Sequence, residues 1–521
     1  MNTFVQRFGE NILGSLHGLD RLRLRGTKRL LAHVGGMLCF LWHERVLLKD
    51  FGTYANALTE EVRRSGEAVA AEHERPVQYL ASSAIDKEAL ARQIAKRDEI
   101  HDGLICVLKT VEPCWSYEVH RNRERKELEL RGGQRKCLHL YHYFLDAQLG
   151  LVHVRLQTWF PFSVHVCLNG REWLARQMDR EGLTYERRDN CFTWVSDWQR
   201  AQELLDDQLR TDWPKLLERL AQQANPALPK LFQAHPVPYY WSAEESEWAS
   251  DVAFASRRDL AELMPRLVRH GMLQLGSDDV MRFLGRKPDG PGARFGRFAG
   301  EVVSDWKRRV EGMRVKHRLK RNWIKMYDKQ GSVLRVETVI NDARDMKSFR
   351  PKEGDASGAV HLQPLRKGVA DLHARAQLCQ NANDRYFNAL ATVEDHQPLG
   401  ELAAKVCQPV RKPGRRARAL NPLGPDDAAL LEAVNRGEFT LHGFRNRDLR
   451  VLLLGATPSD PCEQRRQSGR ITRKLRLLRA HGLIRKIPKS HRYQISDQGR
   501  TIIAALLAAR HADSAKLTKA A

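Results

Sequence analysis

The stretch MRVKHRLKRNWIKMYDKQGSVLRVETVI, residues 313–340, decides how the centre of this chain folds. In its first eight residues apolar or neutral side chains alternate with basic ones, which is the period of a β-strand with one cationic face. The alternating residues are Met313, Val315, His317 and Leu319 on one face and Arg314, Lys316, Arg318 and Lys320 on the other. Turns at Asn322 and Gln330 separate two further strand-like runs, so the segment predicts an antiparallel β-meander.

The basic face of this meander predicts an anionic partner. Four basic side chains along one strand repel one another unless something anionic lies across them. Nucleic acid fits this requirement, with DNA favoured and RNA left as an alternative for this face. The other alternative is a solvated face that is neutralised by acidic residues on neighbouring strands.

The distribution of charge supports a polyanionic partner. The chain has 521 residues, 87 Lys and Arg against 63 Asp and Glu, and a net charge of +24. Residues 401–521 hold a surplus of 15 positive charges and residues 286–325 a surplus of 9, so the rest of the chain sums to zero. Charge clustered in this way is typical of nucleic-acid-binding proteins. The 42% of hydrophobic residues excludes wholesale disorder.

A glycine-rich loop at 285–300 lies within the first basic segment. Its cations are Arg286, Lys287, Arg294 and Arg297. Glycines interleaved with basic residues allow backbone and guanidinium groups to approach phosphates, although a solvated loop has the same composition. The loop lacks the Lys-Ser or Lys-Thr ending of a P-loop, which argues against nucleoside triphosphate binding.

The C-terminal region has the pattern of a small helical domain. Helices are predicted from Asp426, over 446–454 and over 464–481, followed by a ribbon at 483–487 and 491–495 and a last helix after Asp497. In the third helix Ile471, Leu475 and Leu478 form one apolar stripe.

This order of elements resembles the winged-helix family of bacterial DNA-binding regulators. The match rests on ITRKL at 471–475 and RYQISDQGR at 492–500. The resemblance implies that the third helix enters the major groove and that the ribbon touches the DNA backbone. The implied helix contacts are Arg470, Arg473, Lys474 and Arg476, and the implied wing contacts are Lys489, His491 and Arg492. A winged helix used only for protein contacts is the alternative.

The meander also carries a candidate set of catalytic residues. Asp328 ends one strand and Glu337 lies on the next, with Asp342 shortly after it. Converging carboxylates beside a cationic surface are what Mg²⁺ or Mn²⁺ needs in a nuclease. The motif YDK at 327–329 with LRVE at 334–337 is similar to plasmid rolling-circle replication initiators, which implies Asp328 and Glu337 as metal ligands and a tyrosine as nucleophile. Tyr327, next to the acids, is the candidate nucleophile, and Tyr386 on the long helix is the alternative. A surface charge ladder with Arg335 and nearby lysines is the alternative.

Outside these segments the sequence predicts helices and strands without a visible site. A long helix over 369–394 is predicted to pack internally or to form a homodimer, and residues 200–270 are predicted to be mainly helical with a connector at 222–240. Leu22–Gly26 is predicted as a short strand. Nine cysteines without paired spacing predict free thiols in a reducing cytoplasm. Residues 169–178 and 188–194 resemble a widespread bacterial family of unassigned function, which implies no activity.

We therefore expect an α+β multidomain protein that binds nucleic acid and no membrane. The predicted parts are an N-terminal helical region (1–66), an α/β domain (67–221), a connector with the basic β region and long helix (222–400), a basic proline-rich linker (401–425) and a winged helix (426–521). The predicted function is duplex DNA binding as a regulator or mobile-element component. The alternative is a metal-dependent DNA-processing enzyme, either initiator-like or transposase-like.

Overall fold

This chain is a mixed α/β protein with several long strands and many helices. The structure is a computed structural model that describes residues 1–284, 302–309, 312–344, 346–350, 361–393, 399–412, 415–436, 439, 443–456, 458–488 and 490–510. The glycine-rich loop with Arg286, Lys287, Arg294 and Arg297 lies outside these residues, as does Lys489.

The helices and strands have the following bounds. The helices are α1 Asn2–Phe8, α2 Val34–His43, α3 Phe51–Glu72, α4 Lys87–Arg97, α5 Gly170–Glu181, α6 Trp198–Asp207, α7 Trp213–Ala224, α8 Arg257–Leu273, α9 Ser277–Phe283, α10 Leu372–Leu390, α11 Leu399–Ala404, α12 Pro425–Val434, α13 Asn446–Leu454, α14 Pro461–Ala480 and α15 Asp497–Arg510. The strands are β1 Ile12–Lys28, β2 Val77–Tyr79, β3 Gly103–Asn122, β4 Glu127–Asp146, β5 Gly150–Gln157, β6 Val164–Asn169, β7 Tyr185–Arg188, β8 Cys191–Val195, β9 Tyr239–Phe254, β10 Val302–Arg309, β11 Gly312–Leu319, β12 Asn322–Lys329, β13 Val333–Ile340, β14 Lys347–Arg350, β15 His361–Pro364, β16 Val410–Lys412, β17 Arg415–Ala417, β18 Ile484–Lys486 and β19 Tyr493–Ile495.

The chain forms two compact units, each built from separate segments. Unit 1 contains residues 1–12, 254–336 and 381–521, and unit 2 contains residues 13–253 and 337–380. The chain therefore passes between the units four times, each time inside a regular element: near the start of β1, near the end of β9, within β13 and within α10. The five consecutive domains predicted from the sequence divide the chain differently and stay a prediction.

Unit 2 is built on a mixed sheet. Its strands follow the order β13, β9, β1, β6, β5, β4, β3 and β2, of which β13 contributes its second half. The pairs β1–β6, β6–β5, β5–β4 and β4–β3 are antiparallel, whereas β2 and β3 are parallel. One large core cluster runs from Leu19 to Cys379 and includes Phe40, Trp173 and Trp241.

Strand β1 is much longer than the predicted Leu22–Gly26 segment. Leu22 and Leu24 are buried as the alternation predicts, but the strand extends over 17 residues. Its extra residues include Gly14 and Gly18, against which α6 packs: a Cβ at Gly14 would lie 2.3 Å from the Trp198 ring. Glycines weaken a strand pattern in the sequence, whereas here they admit a helix to the strand.

The prediction that residues 200–270 are mainly helical is wrong for β9. This strand follows α6 and α7 and includes the run AEESE at 243–247, which favours helices by local propensity. Its inward side chains Trp241 and Trp248 are 4% and 5% exposed. Burial of these rings within a sheet outweighs the local preference for helix.

Unit 1 contains the β-meander, with strands in the order β10, β11, β12 and the first half of β13. Arg314 lies opposite Tyr327, and Lys316 lies opposite Lys325. On the other face His317 is fully buried, and its ring nitrogens contact Ser304 Oγ at 2.7 Å and Tyr386 Oη at 3.0 Å. The alternation thus separates a cationic face from a core face, as predicted.

Helix α10 buries its apolar residues within the chain. Cys379 lies in the core of unit 2, whereas Tyr386 and Leu390 are fully buried in unit 1. Little apolar surface on this helix is left for a second copy, so the homodimer stays a prediction. The chain also holds no helix, within the described residues, with the length and apolar character needed to cross a bilayer.

The C-terminal part of unit 1 has its own apolar cluster. Helices α12 to α15 and the ribbon of β18 and β19 surround Leu431, Phe444, Ile471 and Ile502, each at most 1% exposed. The chain order is three helices, a two-stranded ribbon and a last helix.

Acid should destabilise the protein through His317. Burial lowers its pKa to about 4 in the folded chain, against about 6.5 in the unfolded chain. The unfolded state therefore binds more protons between these values, so stability is complete above pH 6.5 and falls as the pH drops towards 4. We expect His317→Gln to remove up to about 3 kcal/mol of this acid loss. Melting temperatures measured between pH 7.5 and 4.5 test this expectation. His373→Gln, a change at an exposed histidine, is the control. If the melting temperature falls equally steeply with pH in both variants, His317 is not the source of the acid loss.

Candidate nucleic-acid surfaces and a candidate metal centre

Helix α14 presents a row of arginines on its outer face. Asp460 caps the helix by accepting hydrogen bonds from the N–H groups of Cys462 and Glu463, and Pro461 occupies its first turn. Ile471, Leu475 and Leu478 are at most 2% exposed. Because these three residues fix which side faces the core, the opposite side of the helix faces solvent.

Arg470, Arg473 and Arg476 form this row, called here the arginine row. All three are exposed, and none makes a hydrogen bond or ion pair with another residue in the described part of the chain. Lys474 differs because its Nζ donates to the Asp426 carbonyl oxygen at 3.4 Å. Exposed guanidinium groups without acidic partners keep their full charge available to a ligand.

The predicted wing residues have different surroundings. His491 is exposed, next to the turn between β18 and β19. Arg492 donates from Nη1 to the Gly443 carbonyl oxygen at 3.2 Å and is partly buried. Arg492 therefore braces the ribbon against the segment before α13.

A second cationic surface lies on the meander. Arg314, Lys316 and Arg318 share one face of β11 and are called here the basic sheet face. Lys316 Nζ lies 4.1 Å from the centroid of the Trp323 ring, which is a cation–π contact. Burial lowers the pKa of Lys316, and the neighbouring charges of Lys325 and Arg314 act in the same direction.

Acidic residues neutralise only part of this face. Arg314 pairs with Asp305 at 3.0 Å, whereas exposed Arg318 makes no hydrogen bond or ion pair with the residues that the structure describes. Lys320 was predicted to belong to the face, but it lies in the turn after β11 with φ of +54°. The predicted basic face is thus three residues long on β11.

The predicted catalytic residues Asp328, Asp342 and Tyr327 each have a different local environment. Asp328 accepts a hydrogen bond from the Gly331 N–H at 2.9 Å and so braces a turn, and burial raises its pKa. Asp342 accepts from Arg344 Nε at 2.9 Å, and this neighbour lowers its pKa to about 2. Tyr327 lies on β12 opposite Arg314. Within the described residues neither Asp328 nor Asp342 belongs to a cluster of metal-ligating side chains.

Glu337, the remaining predicted ligand, belongs to another acidic group. Asp20, Glu247 and Glu337 each offer a carboxylate oxygen, and these oxygens lie within 4.8 Å of one another. The residues come from β1, β9 and β13, which are neighbours in the sheet of unit 2. Asp20 and Glu337 are only 3% and 2% exposed. We call this group the acid triad.

A buried arginine adjoins the acid triad. The Arg171 guanidinium has no solvent exposure, pairs with Asp251 at 3.0 Å and lies 3.9 Å from Asp20. Asn190 Nδ2 donates to Asp20 Oδ1 at 2.6 Å. Each pair of ionised carboxylates 4.8 Å apart repels by about 3.5 kcal/mol at an effective dielectric constant of 20. A cation, a guanidinium or a proton relieves this repulsion.

The donor set of the acid triad fits a hard divalent cation. Mg²⁺, Mn²⁺ and Ca²⁺ prefer carboxylate oxygens, and three acids on a rigid sheet supply them without large movements. The sequence missed Asp20 and Glu247 because more than 200 residues separate them. The one available signal is that Asp20, an acidic residue, is in phase with Leu22 and Leu24 and so falls on the apolar face of the alternating strand.

Comparisons with protein-family models, with curated proteins and with solved structures give no match for this chain.

Divalent cations should stabilise the chain through the acid triad. We expect Mn²⁺ to raise the melting temperature of the wild type and to have no such effect on Glu247→Gln. A ligand that binds the folded state raises its stability by mass action, and Glu247→Gln removes one of the three carboxylates that would hold the ion. Glu244→Gln, a partly exposed neighbour on the same strand, is the control and should respond as the wild type. An equal response to Mn²⁺ in both variants would contradict a metal centre here.

Proposed function

We propose that this chain binds double-stranded DNA and that α14 lies against the duplex. The arginine row is the observation that carries the proposal. Three guanidinium groups on one solvent-facing side of a rigid helix suit a phosphate backbone or the edges of guanines. The helix is anchored by its buried apolar stripe, so binding would need little ordering of the protein.

The order of elements in the C-terminal part of unit 1 supports the same proposal. Three helices followed by a ribbon and a last helix are what the winged-helix resemblance implies. In that arrangement the third helix, α14, is the recognition helix, and the turn between β18 and β19 contacts the backbone. Exposed His491 lies next to this turn.

The basic sheet face is proposed as an additional phosphate contact. Exposed Arg318 is free of acidic partners within the described residues, and Trp323 between Lys316 and Lys325 offers an aromatic surface. Trp323 is partly exposed, and cations beside an aromatic ring bind single strands as well as duplexes. RNA binding at this face is therefore an outcome that the experiments below distinguish.

Replacing the arginine row should weaken duplex binding. If each arginine of R470A/R473A/R476A neutralises one phosphate, the slope of log K against log salt becomes less steep by about 2.7. We expect at least a tenfold loss of affinity at 0.1 M salt, measured by fluorescence anisotropy with a 30-base-pair duplex. A single strand and an RNA duplex serve as parallel probes.

The matched control for this experiment is R64A/R210A/R258A. These arginines are 75%, 83% and 86% exposed, and each already pairs with a neighbouring carboxylate. The control changes the net charge equally and should bind as the wild type does. Equal losses in both triple variants would mean that total charge, and not α14, determines binding.

A second candidate function is metal-dependent DNA cleavage at the acid triad. The specific observation that favours it is the convergence of Asp20, Glu247 and Glu337 on one point of a sheet. A divalent ion held there would neutralise charge on a phosphodiester. The similarity of residues 327–337 to rolling-circle initiators points to the same chemistry, with Glu337 common to both.

A nicking assay separates this enzyme from a binding protein. With supercoiled plasmid and Mn²⁺, we expect Glu247→Gln and Glu337→Gln to lose at least a hundredfold in rate, because each removes a ligand. Asp328→Asn should retain activity, since its carboxylate braces a turn. Loss of activity in Asp328→Asn would instead favour the ligand set predicted from the sequence. No cleavage by the wild type would leave DNA binding as the function.

A further inference from the structure

A two-stranded ribbon in unit 2 carries a cluster of cations that the functions proposed above do not use. Strands β3 and β4 pair along 20 residues each. β5 pairs with β4 only from His139 to Asp146, and β2 pairs only with residues 107–109 of β3. Beyond Thr110 and Leu138 the described pairings of these strands are therefore with each other, over about 40 Å.

The inner half of this ribbon is anchored in the core of unit 2. Tyr117 is 2% exposed and donates from Oη to the Leu31 carbonyl oxygen at 2.8 Å. Ser116 Oγ donates to the Phe160 carbonyl oxygen at 2.9 Å, and Leu130 is buried. These contacts fix the direction of the ribbon, although Val111 and Trp115 in this half are exposed.

The end of the ribbon, residues 120–128, is called here the hairpin tip. Every residue in it is exposed except Asn122, which is half-buried. Its cations are Arg121, Arg123, Arg125 and Lys126, and its acids are Glu124 and Glu127. Arg125 pairs with Glu127 at 3.7 Å, whereas the other three cations make no hydrogen bond or ion pair within the described part of the chain.

The turn of the hairpin tip is held by its own hydrogen bonds. Asn122 Oδ1 accepts from the N–H groups of Glu124 and Arg125, both at 3.1 Å. Asn122 Nδ2 donates to Glu129 on the opposite strand at 2.5 Å. The backbone that carries Arg121 and Arg123 is thus ordered before any ligand binds, which lowers the entropic cost of binding.

We infer that the hairpin tip is a second DNA-binding element, which holds phosphates of a duplex with Arg121, Arg123 and Lys126. The inference rests on the proposed DNA binding and adds a contact that lies in unit 2. A two-stranded ribbon fits the width of a major groove, about 12 Å, so that cations at its end meet the backbone. Glu124 and Glu127 limit the tip to a few phosphates, which suits an auxiliary contact.

Removing three positive charges from the hairpin tip, without changing its fold, tests this inference. R121A/R123A/K126A changes only exposed side chains, so its melting temperature should equal that of the wild type. In the same anisotropy experiment with a 30-base-pair duplex, we expect a loss of affinity of at least fivefold at 0.1 M salt. The salt slope should become less steep by up to about 2.7, the value for three phosphates. R64A/R210A/R258A remains the control of equal charge.

Each result of this experiment has one meaning. Duplex affinity and salt slope equal to those of the control overturn the inference about the tip, even where R470A/R473A/R476A confirms a role for α14. Failure of the wild type to bind any duplex defeats the proposed function, and the inference falls with it. Loss of binding to vesicles containing phosphatidylserine, with DNA binding unchanged, would assign the tip to an anionic membrane surface and overturn the inference.

Discussion

One guanidinium without solvent exposure, that of Arg171, holds together the centre of unit 2. It lies in the first turn of α5, pairs with Asp251 on β9 and also donates to the Ala249 carbonyl oxygen. Breaking a buried ion pair by removing one partner costs about 3–5 kcal/mol, because the remaining charge stays buried. The placement of α5 over the sheet, and with it the surroundings of Asp20, depends on this contact.

Features set by neighbours in the sequence could be predicted from it. The alternation at 313–320 gave both faces of β11, and the apolar stripe of α14 gave its solvent-facing side. Asn169 caps α5, as its residue type directly before a helix favours, and its side chain accepts hydrogen bonds from the N–H groups of Arg171 and Glu172. In each case the periodicity or capping pattern lies within about ten residues, where local physics and the fold agree.

Features set by distant residues could not be predicted in this way. The glycines of β1 and the glutamates of β9 favour other structures locally, and only pairing within the sheet makes them strands. The sequence predicts Glu337 as a metal ligand, but together with Asp328 and Asp342, which are close to it in sequence. The acid triad instead joins residues 20, 247 and 337, and no pattern in the sequence connects them.

The division of both units into separate segments has a consequence during synthesis. The first 253 residues leave the ribosome well before residues 337–380, which complete unit 2. Until then β9 has no β13 beside it, and its unpaired backbone is open to association with other chains. A chaperone, or rapid translation of residues 254–336, would protect the nascent chain during this interval. A fragment that ends near residue 253 would lack β13 permanently.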